Sequence, residues 1–278
     1  LAQCFTDGGL PDGVLNVITG AGGELGDALV SDPRVRKISF TGSTATGTHI
    51  TQIAGVKKLS LELGASSPVV VLPDADIELA SRAVALGGYI NSGQVCISVQ
   101  RVIVHEKIRN EFLDALKPLV EKIKVGDPKA EDIEVGTLIN EKEATRVANS
   151  IKNAIAEGAK LITGGQQEGA IVKPAIVSEV DPKAAIAQDE LFGPAVIVST
   201  ATSTKEALDF ANSTPYGLGS VVFTKDVNAA IQSAREIDSG IVHINWTPLW
   251  RADLMPYGGL KASGIGKEGV RSAIEEMT

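Results

Sequence analysis

The sequence predicts an α/β fold built on a largely parallel sheet. Three observations carry this. Short β-branched runs alternate with longer segments of helical periodicity, and glycine clusters sit where runs hand over to helices. Of the 278 residues, 44% are hydrophobic, enough for two compact units and too apolar for disorder.

The elements follow in order. Gly8 to Gly13 forms a turn, Val14 to Thr19 a buried strand, and Gly20-Ala21-Gly22-Gly23 opens a helix through Val30. A strand over Val35 to Phe40 runs into Thr41-Gly42-Ser43 and a helix reaching Ala54. After Lys58 to Leu63 comes the apolar strand Val69 to Leu72, then a helix from Asp76 to Tyr89 that ends at Asn91-Ser92-Gly93 and delivers Cys96. Further strands are expected over Val99 to His105, Val172 to Val177, Ala195 to Thr200, Leu218 to Phe223 and Ile241 to Asn245. Helices are expected over Lys107 to Ile123, Glu141 to Gly158, Thr204 to Asn212 and Asp226 to Ile237. The stretch Leu61-Glu62-Leu63-Gly64-Ala65 is the expected domain boundary, where a glycine lets the chain change direction between sheets.

A net charge of −8 with scattered basic residues argues against nucleic acid as a partner. No apolar run is long enough to span a membrane and no basic-then-apolar signal opens the chain, so a cytoplasmic location is expected. Cys4 and Cys96 lie far apart in sequence, which excludes a disulfide framework. His49, His105 and His243 stand singly, so no metal is expected. The opening Leu1 to Phe5 reads like the end of an amphipathic helix, as if cut from a longer chain.

Chemistry concentrates in three places. Phe40-Thr41-Gly42-Ser43 puts a hydroxyl and free N–H groups at a helix N-terminus, a setting that favours phosphate, although Ser43 is also an ordinary N-cap. The glycines from Gly20 to Gly26 do not match the GxGxxG spacing. Cys96, between Val95 and Ile97, reads on residue type as a small buried hydrophobe. The polar Asn91-Ser92-Gly93-Gln94 segment before it points to a loop whose backbone N–H groups can converge on one oxygen, beside a thiolate competent to attack carbonyl carbon. Glu62 points opposite to Leu61 and Leu63 under strand alternation. It faces either solvent or a cleft, and a cleft would raise its pKa and suit it to general-base work.

These residues carry a resemblance. Phe40-Thr41-Gly42-Ser43, Glu62-Leu63-Gly64, Gly93-Gln94-Val95-Cys96, Glu190-Leu191-Phe192-Gly193-Pro194, Asn245 and the run Pro256 to Gly264 resemble, in order and spacing, the motifs of the aldehyde dehydrogenase superfamily across essentially the whole chain. The resemblance implies a partial Rossmann-type cofactor domain over 1–64, an α/β catalytic domain over 65–263, and a C-terminal helix over 264–278 packing back on the cofactor domain. It implies NAD or NADP as cofactor, a small-molecule aldehyde as substrate, and a homo-oligomer in the full-length protein. Cys96 would attack the aldehyde to give a thiohemiacetal and then a thioester, with its own N–H on the oxyanion. Glu62 would activate the water that hydrolyses the thioester. On the cofactor side lie Gly42, Ser43 at the pyrophosphate, Gly64, Glu190 at the nicotinamide ribose and Phe192 near the nicotinamide ring. Asn245 would support the substrate side from behind.

The sequence departs from the family pattern at Ala65, where a second glycine is usual; the added methyl narrows the route to Glu62. The family's N-terminal segment has no counterpart here, nor does its C-terminal strand that pairs between subunits. The chain alone is therefore expected to bind dinucleotide weakly and turn over little. Two alternatives stay open: a coenzyme A-acylating relative, against which Glu62 counts, and a non-catalytic fragment that keeps the fold. Arg251, in the loop between Asn245 and Pro256, is the candidate to hold a negative charge on the substrate; its other reading is a surface pair with Asp253. That loop resembles those of relatives acting on small anionic or hydroxylated aldehydes.

Overall fold

The computed structural model describes residues 1–278. The helices α1 (Ala2–Asp7) and α2 (Gly22–Ser31) precede β1 (Lys37–Thr41), α3 (Thr44–Ile53) and β2 (Lys58–Glu62). Next come β3 (Ser67–Val71), α4 (Ile77–Tyr89), β4 (Val99–His105), α5 (Arg109–Glu121) and α6 (Glu141–Ala156). The middle of the chain contributes β5 (Lys160–Thr163), β6 (Gln167–Glu168), β7 (Ile171–Val172), β8 (Ala175–Ser178), α7 (Ala185–Gln188) and β9 (Ala195–Ala201). It ends with α8 (Thr204–Asn212), β10 (Tyr216–Gly217), β11 (Gly219–Phe223), α9 (Val227–Glu236), β12 (Ile241–Ile244), β13 (Leu260–Lys261), β14 (Gly264–Ile265) and α10 (Val270–Met277).

Seven strands form the main sheet in the order β12-β11-β3-β4-β9-β8-β5, parallel throughout except for β5 at the edge. The central β3 is buried at every position because helices cover both faces of a parallel sheet, so its valines need no polar alternation. On one face Val69, Val71, Val102 and Val104 pack with Phe112 and Leu116 of α5. On the other, Val70, Ile103 and Val222 pack with Leu208 of α8. Asp76 and Asn140 start α4 and α6 by accepting the N–H of Leu79 at 3.0 Å and of Glu143 at 2.9 Å.

A second, three-stranded sheet runs β1-β2-β14. Its apolar face, Ile38 and Leu61, packs with Ile50 of α3 and Val30 of α2. The chain leaves this sheet at Glu62 and enters the large one at Ser67. Late in the chain it returns: β14 pairs antiparallel with β2, setting Gly264 opposite Glu62, and Glu276 of α10 bonds to Lys37 and Ser60.

Three expectations are corrected. Val14 to Thr19 forms no strand and is exposed, because no neighbouring strand offers it ladder hydrogen bonds. The single strand expected over Val172 to Val177 is broken at Lys173-Pro174, since proline has no N–H to give to a ladder. Residues 264–278 are not one helix: Gly264 and Ile265 are strand, and the helix starts only at Val270.

Candidate active site

Cys96 lies between α4 and β4, at the end of a loop under backbone strain. Asn91, Ser92 and Gly93 have φ values of 49°, 57° and 71°, three left-handed residues in succession, of which only glycine adopts that state freely. Side-chain bonds hold the strain. Ser92 Oγ donates to the Gly136 carbonyl and accepts from the Gly136 N–H, both at 3.1 Å, and Gln94 Oε1 accepts the Ile139 N–H at 2.9 Å. Gly93 faces the Gly193 carbonyl so closely that a Cβ there would sit 2.1 Å from its oxygen. The cysteine loop and the 189–194 loop therefore pack backbone to backbone.

The Cys96 thiol is partly buried and its Sγ lies 3.1 Å from the Tyr257 hydroxyl. Burial pushes the thiol pKa up; the Tyr257 hydroxyl and the Ile97 N–H pull it down, and Glu62 and Glu190 add to the rise. The Cys96 backbone N–H finds no acceptor in the chain. A polar donor therefore stands free directly beside the sulfur.

Glu62 ends β2 and is only 6% exposed, because the returning 257–265 segment covers the face that alternation would have left to solvent. Leu63 N–H donates to the Ser263 carbonyl at 2.9 Å, and Ser263 Oγ donates to the Gly64 carbonyl at 2.7 Å. The Glu62 Oε2 is buried without a partner. Desolvation raises its pKa from 4.5 to about 7; Glu268 adds to the rise and Arg251 opposes it. Its Oε1 is 3.5 Å from where a Cβ on Gly258 would be, so the carboxyl abuts the residue next to Tyr257. Cys96 and Glu62 thus flank the same short segment, the thiol at the Tyr257 hydroxyl and the carboxyl at neighbouring Gly258, close enough for Glu62 to act on the thiol electrostatically.

Near Cys96, Glu190 Oε1 accepts the Ala65 N–H at 2.9 Å, and burial raises the Glu190 pKa. A side chain at Gly64 would meet Glu190 Oε2 at 2.7 Å and Thr44 Oγ1 at 3.0 Å, so glycine there is what lets the α3 terminus and Glu190 approach. Buried Gln100 on β4 holds the loop in place, donating to the Asp189 carbonyl at 2.6 Å and accepting the Leu191 N–H at 2.8 Å. Phe192, with φ 47°, is held outward and 40% exposed. Ser43 caps α3 through the Thr46 N–H at 3.2 Å, which leaves the Thr44 and Ala45 N–H groups without acceptors.

Sequence comparison identifies the family. The model of the aldehyde dehydrogenase family matches residues 1–278. The chain belongs to the aldehyde dehydrogenase family. A 3-sulfolactaldehyde dehydrogenase of Priestia megaterium is 43% identical over the whole chain, which covers 58% of that protein. A lactaldehyde dehydrogenase of Methanocaldococcus jannaschii is 44% identical over 97% of the chain and 58% of its own length. The crystal structure of a glyceraldehyde-3-phosphate dehydrogenase from M. jannaschii complexed with NADP superposes with a TM-score of 0.95 at 41% identity, over 99% of this chain and 60% of that one. An NAD-dependent aldehyde dehydrogenase of Sinorhizobium meliloti gives 0.95 at 37%, over 99% and 56%. The chain spans a little under three fifths of the length of these curated relatives.

Within this aldehyde dehydrogenase chain, two residues stand differently from expectation. Arg251 pairs with Glu268 at 3.2 Å rather than with Asp253, and its guanidinium carbon lies 4.6 Å above the Tyr257 ring. Asn245, with φ 56°, turns its amide onto Thr224, accepting from its N–H at 3.0 Å and donating to its carbonyl at 2.8 Å, so it closes the end of β11 rather than presenting itself to a ligand. The other thiol, Cys4, is exposed on a helix that buries nothing. Tyr257 and Ser263 belong to a motif run, Pro256 to Gly264, that the sequence shows without giving either a role, and Gln100 and Glu268 carry no sequence signal at all.

Proposed function

We propose that this chain carries the reaction centre of an NAD(P)-dependent aldehyde dehydrogenase that oxidises a small hydroxylated or anionic aldehyde to its carboxylic acid. The observation that carries the reading is the Cys96 sulfur, with its own N–H unbonded, set beside the Tyr257-Gly258 segment that the unpartnered Glu62 carboxyl also abuts. Cys96 attacks the aldehyde carbon as thiolate, and the carbonyl electrons move to oxygen beside the Cys96 N–H, giving a thiohemiacetal. The dinucleotide, when bound, supplies the two-electron acceptor that turns this adduct into a thioester. Glu62 then takes a proton from water as its oxygen attacks the thioester; the C–S bond breaks, the acid leaves and the thiol is restored.

The residues around Cys96 and Glu62 fit such a cofactor. The unpaired Thr44 and Ala45 N–H groups suit a pyrophosphate at the α3 terminus, next to Gly42 and Ser43. Glu190, desolvated and held by the Ala65 N–H, offers its carboxylate to a ribose, Gly64 keeps the approach open, and outward Phe192 offers a face for a nicotinamide ring. Arg251, stacked on the tyrosine that touches Cys96, is the cation available to an anionic substrate, in keeping with the 3-sulfolactaldehyde relative. We expect the whole protein to act as a homo-oligomer in the cytoplasm, with residues 1–64 and the C-terminal segment on the cofactor side and 65–263 catalytic.

The test is direct. Quenching the protein during turnover should trap an acyl adduct on the Cys96 peptide, and Cys96→Ala should abolish both adduct and reduced dinucleotide. Turnover surviving in Cys96→Ala would refute the reading. Product release that required coenzyme A would favour the acylating alternative.

A further inference from the structure

Tyr257 is 6% exposed and packs with Ala65, Leu218 and Ile241, with Cys96 and Met255 against the same cluster. Its backbone is fixed on both sides by Glu268: the Tyr257 N–H donates to the Glu268 carbonyl at 3.1 Å, and the Glu268 N–H to the Tyr257 carbonyl at 2.6 Å. The ring is held from above by Arg251, which Glu268 in turn anchors through its carboxylate. Every constraint aims the phenol at one atom. The Cys96 Sγ, at 3.1 Å, is the sole hydrogen-bonding partner of the hydroxyl.

Which group donates follows from the surroundings. Burial and the neighbouring Cys96, Glu62 and Glu268 all disfavour a phenolate, so Tyr257 keeps its proton across the working pH range. The thiol beside it is the group that ionises. Around that sulfur, burial and the carboxyls of Glu62 and Glu190 oppose the thiolate; the Tyr257 O–H is the one side chain that favours it. A hydrogen bond to a charged acceptor is roughly twice as strong as one between neutral groups.

We propose that Tyr257 is a catalytic hydrogen-bond donor whose hydroxyl favours the reactive thiolate of Cys96 against the burial that opposes it, and that Arg251 and Glu268 are positioning residues that fix the ring delivering it. This rests on Cys96 being the nucleophile. Before attack the O–H stabilises the sulfur anion. As the S–C bond forms, the sulfur charge passes to the carbonyl oxygen and the bond to sulfur is relaxed, so the donor speeds attack only while it does not overstabilise the thiolate.

The experiment reads thiol ionisation and needs no turnover. In a Cys4→Ser background, the iodoacetamide rate at Cys96 is followed against pH for the parent and for Tyr257→Phe, which keeps the ring and the Arg251 stack. The expected result is a Cys96 pKa higher by about one unit, a tenfold loss of thiolate at a given pH below the pKa, equal to about 1.4 kcal/mol. An unchanged or lowered pKa overturns the proposal. Replacing Tyr257 by 3,5-difluorotyrosine, whose hydroxyl is a stronger donor of nearly the same size, guards against misfolding of the first variant. There the thiol pKa should fall, and no fall overturns the proposal. Failure of Cys96 as nucleophile is read separately, by turnover surviving in Cys96→Ala.

Discussion

Replacing Glu62 by glutamine keeps the shape of the side chain and removes its ability to take a proton, so it separates two consequences of one buried carboxyl. The first is thermodynamic. The folded pKa of about 7, against an ordinary 4.5, means the folded protein binds a proton more tightly than the unfolded chain. Stability from Glu62 is therefore complete below about pH 4.5 and lost progressively as pH rises through about 7. At about 1.4 kcal/mol per tenfold, the ionised carboxyl costs the fold up to about 3 kcal/mol above pH 7. Glu62→Gln should thus be more stable than the parent at pH 8 by up to that amount and indistinguishable from it near pH 4.5, as urea unfolding at the two pH values will measure. The second consequence is kinetic. A positioned general base contributes about 10²–10⁴-fold, so steady turnover should fall by that factor while a single burst of reduced dinucleotide survives. Equal stability gains at both pH values would refute the desolvation argument. Burst and steady rate falling together would mean that Glu62 acts before the thioester forms.

Two further outcomes follow from the geometry. Gly93→Ala puts a methyl 2.1 Å from the Gly193 carbonyl at a φ of 71°, where neither backbone can yield cheaply. We expect a loss of about 3 kcal/mol or more in denaturant unfolding, and a loss under 1 kcal/mol would show that the two loops are not locked together. Arg251→Leu should raise KM for an anionic aldehyde about ten- to a hundredfold, about 1.4–2.7 kcal/mol of binding, and leave a neutral aldehyde of similar size little changed. Equal losses for both would assign Arg251 to holding Tyr257 alone.

What the amino-acid sequence determines by itself is the local and periodic part of this protein. The valine run of β3, the β-branched β4 and the capped helices α4 and α8 follow from period, burial pattern and capping chemistry, all carried within a few residues. Cys96 and Glu62 were legible as candidates because a glycine loop before a cysteine and a lone carboxylate in an apolar strand are local anomalies. The tertiary structure decided the rest. Glu62 lies buried rather than in solvent because the segment 257–265, some 200 positions later, covers it, with Gly264 and Ile265 pairing onto β2. Tyr257 meets Cys96 across 161 residues of chain, and Arg251 finds Glu268 rather than its near neighbour Asp253. Val14 to Thr19, rich in strand-forming residues, stays irregular and exposed for want of a partner strand. Backbone propensity and alternation act over a turn or a strand, whereas desolvation, ion pairing and ladder hydrogen bonds belong to whichever distant segment arrives, and a single sequence does not encode that arrival at any one position.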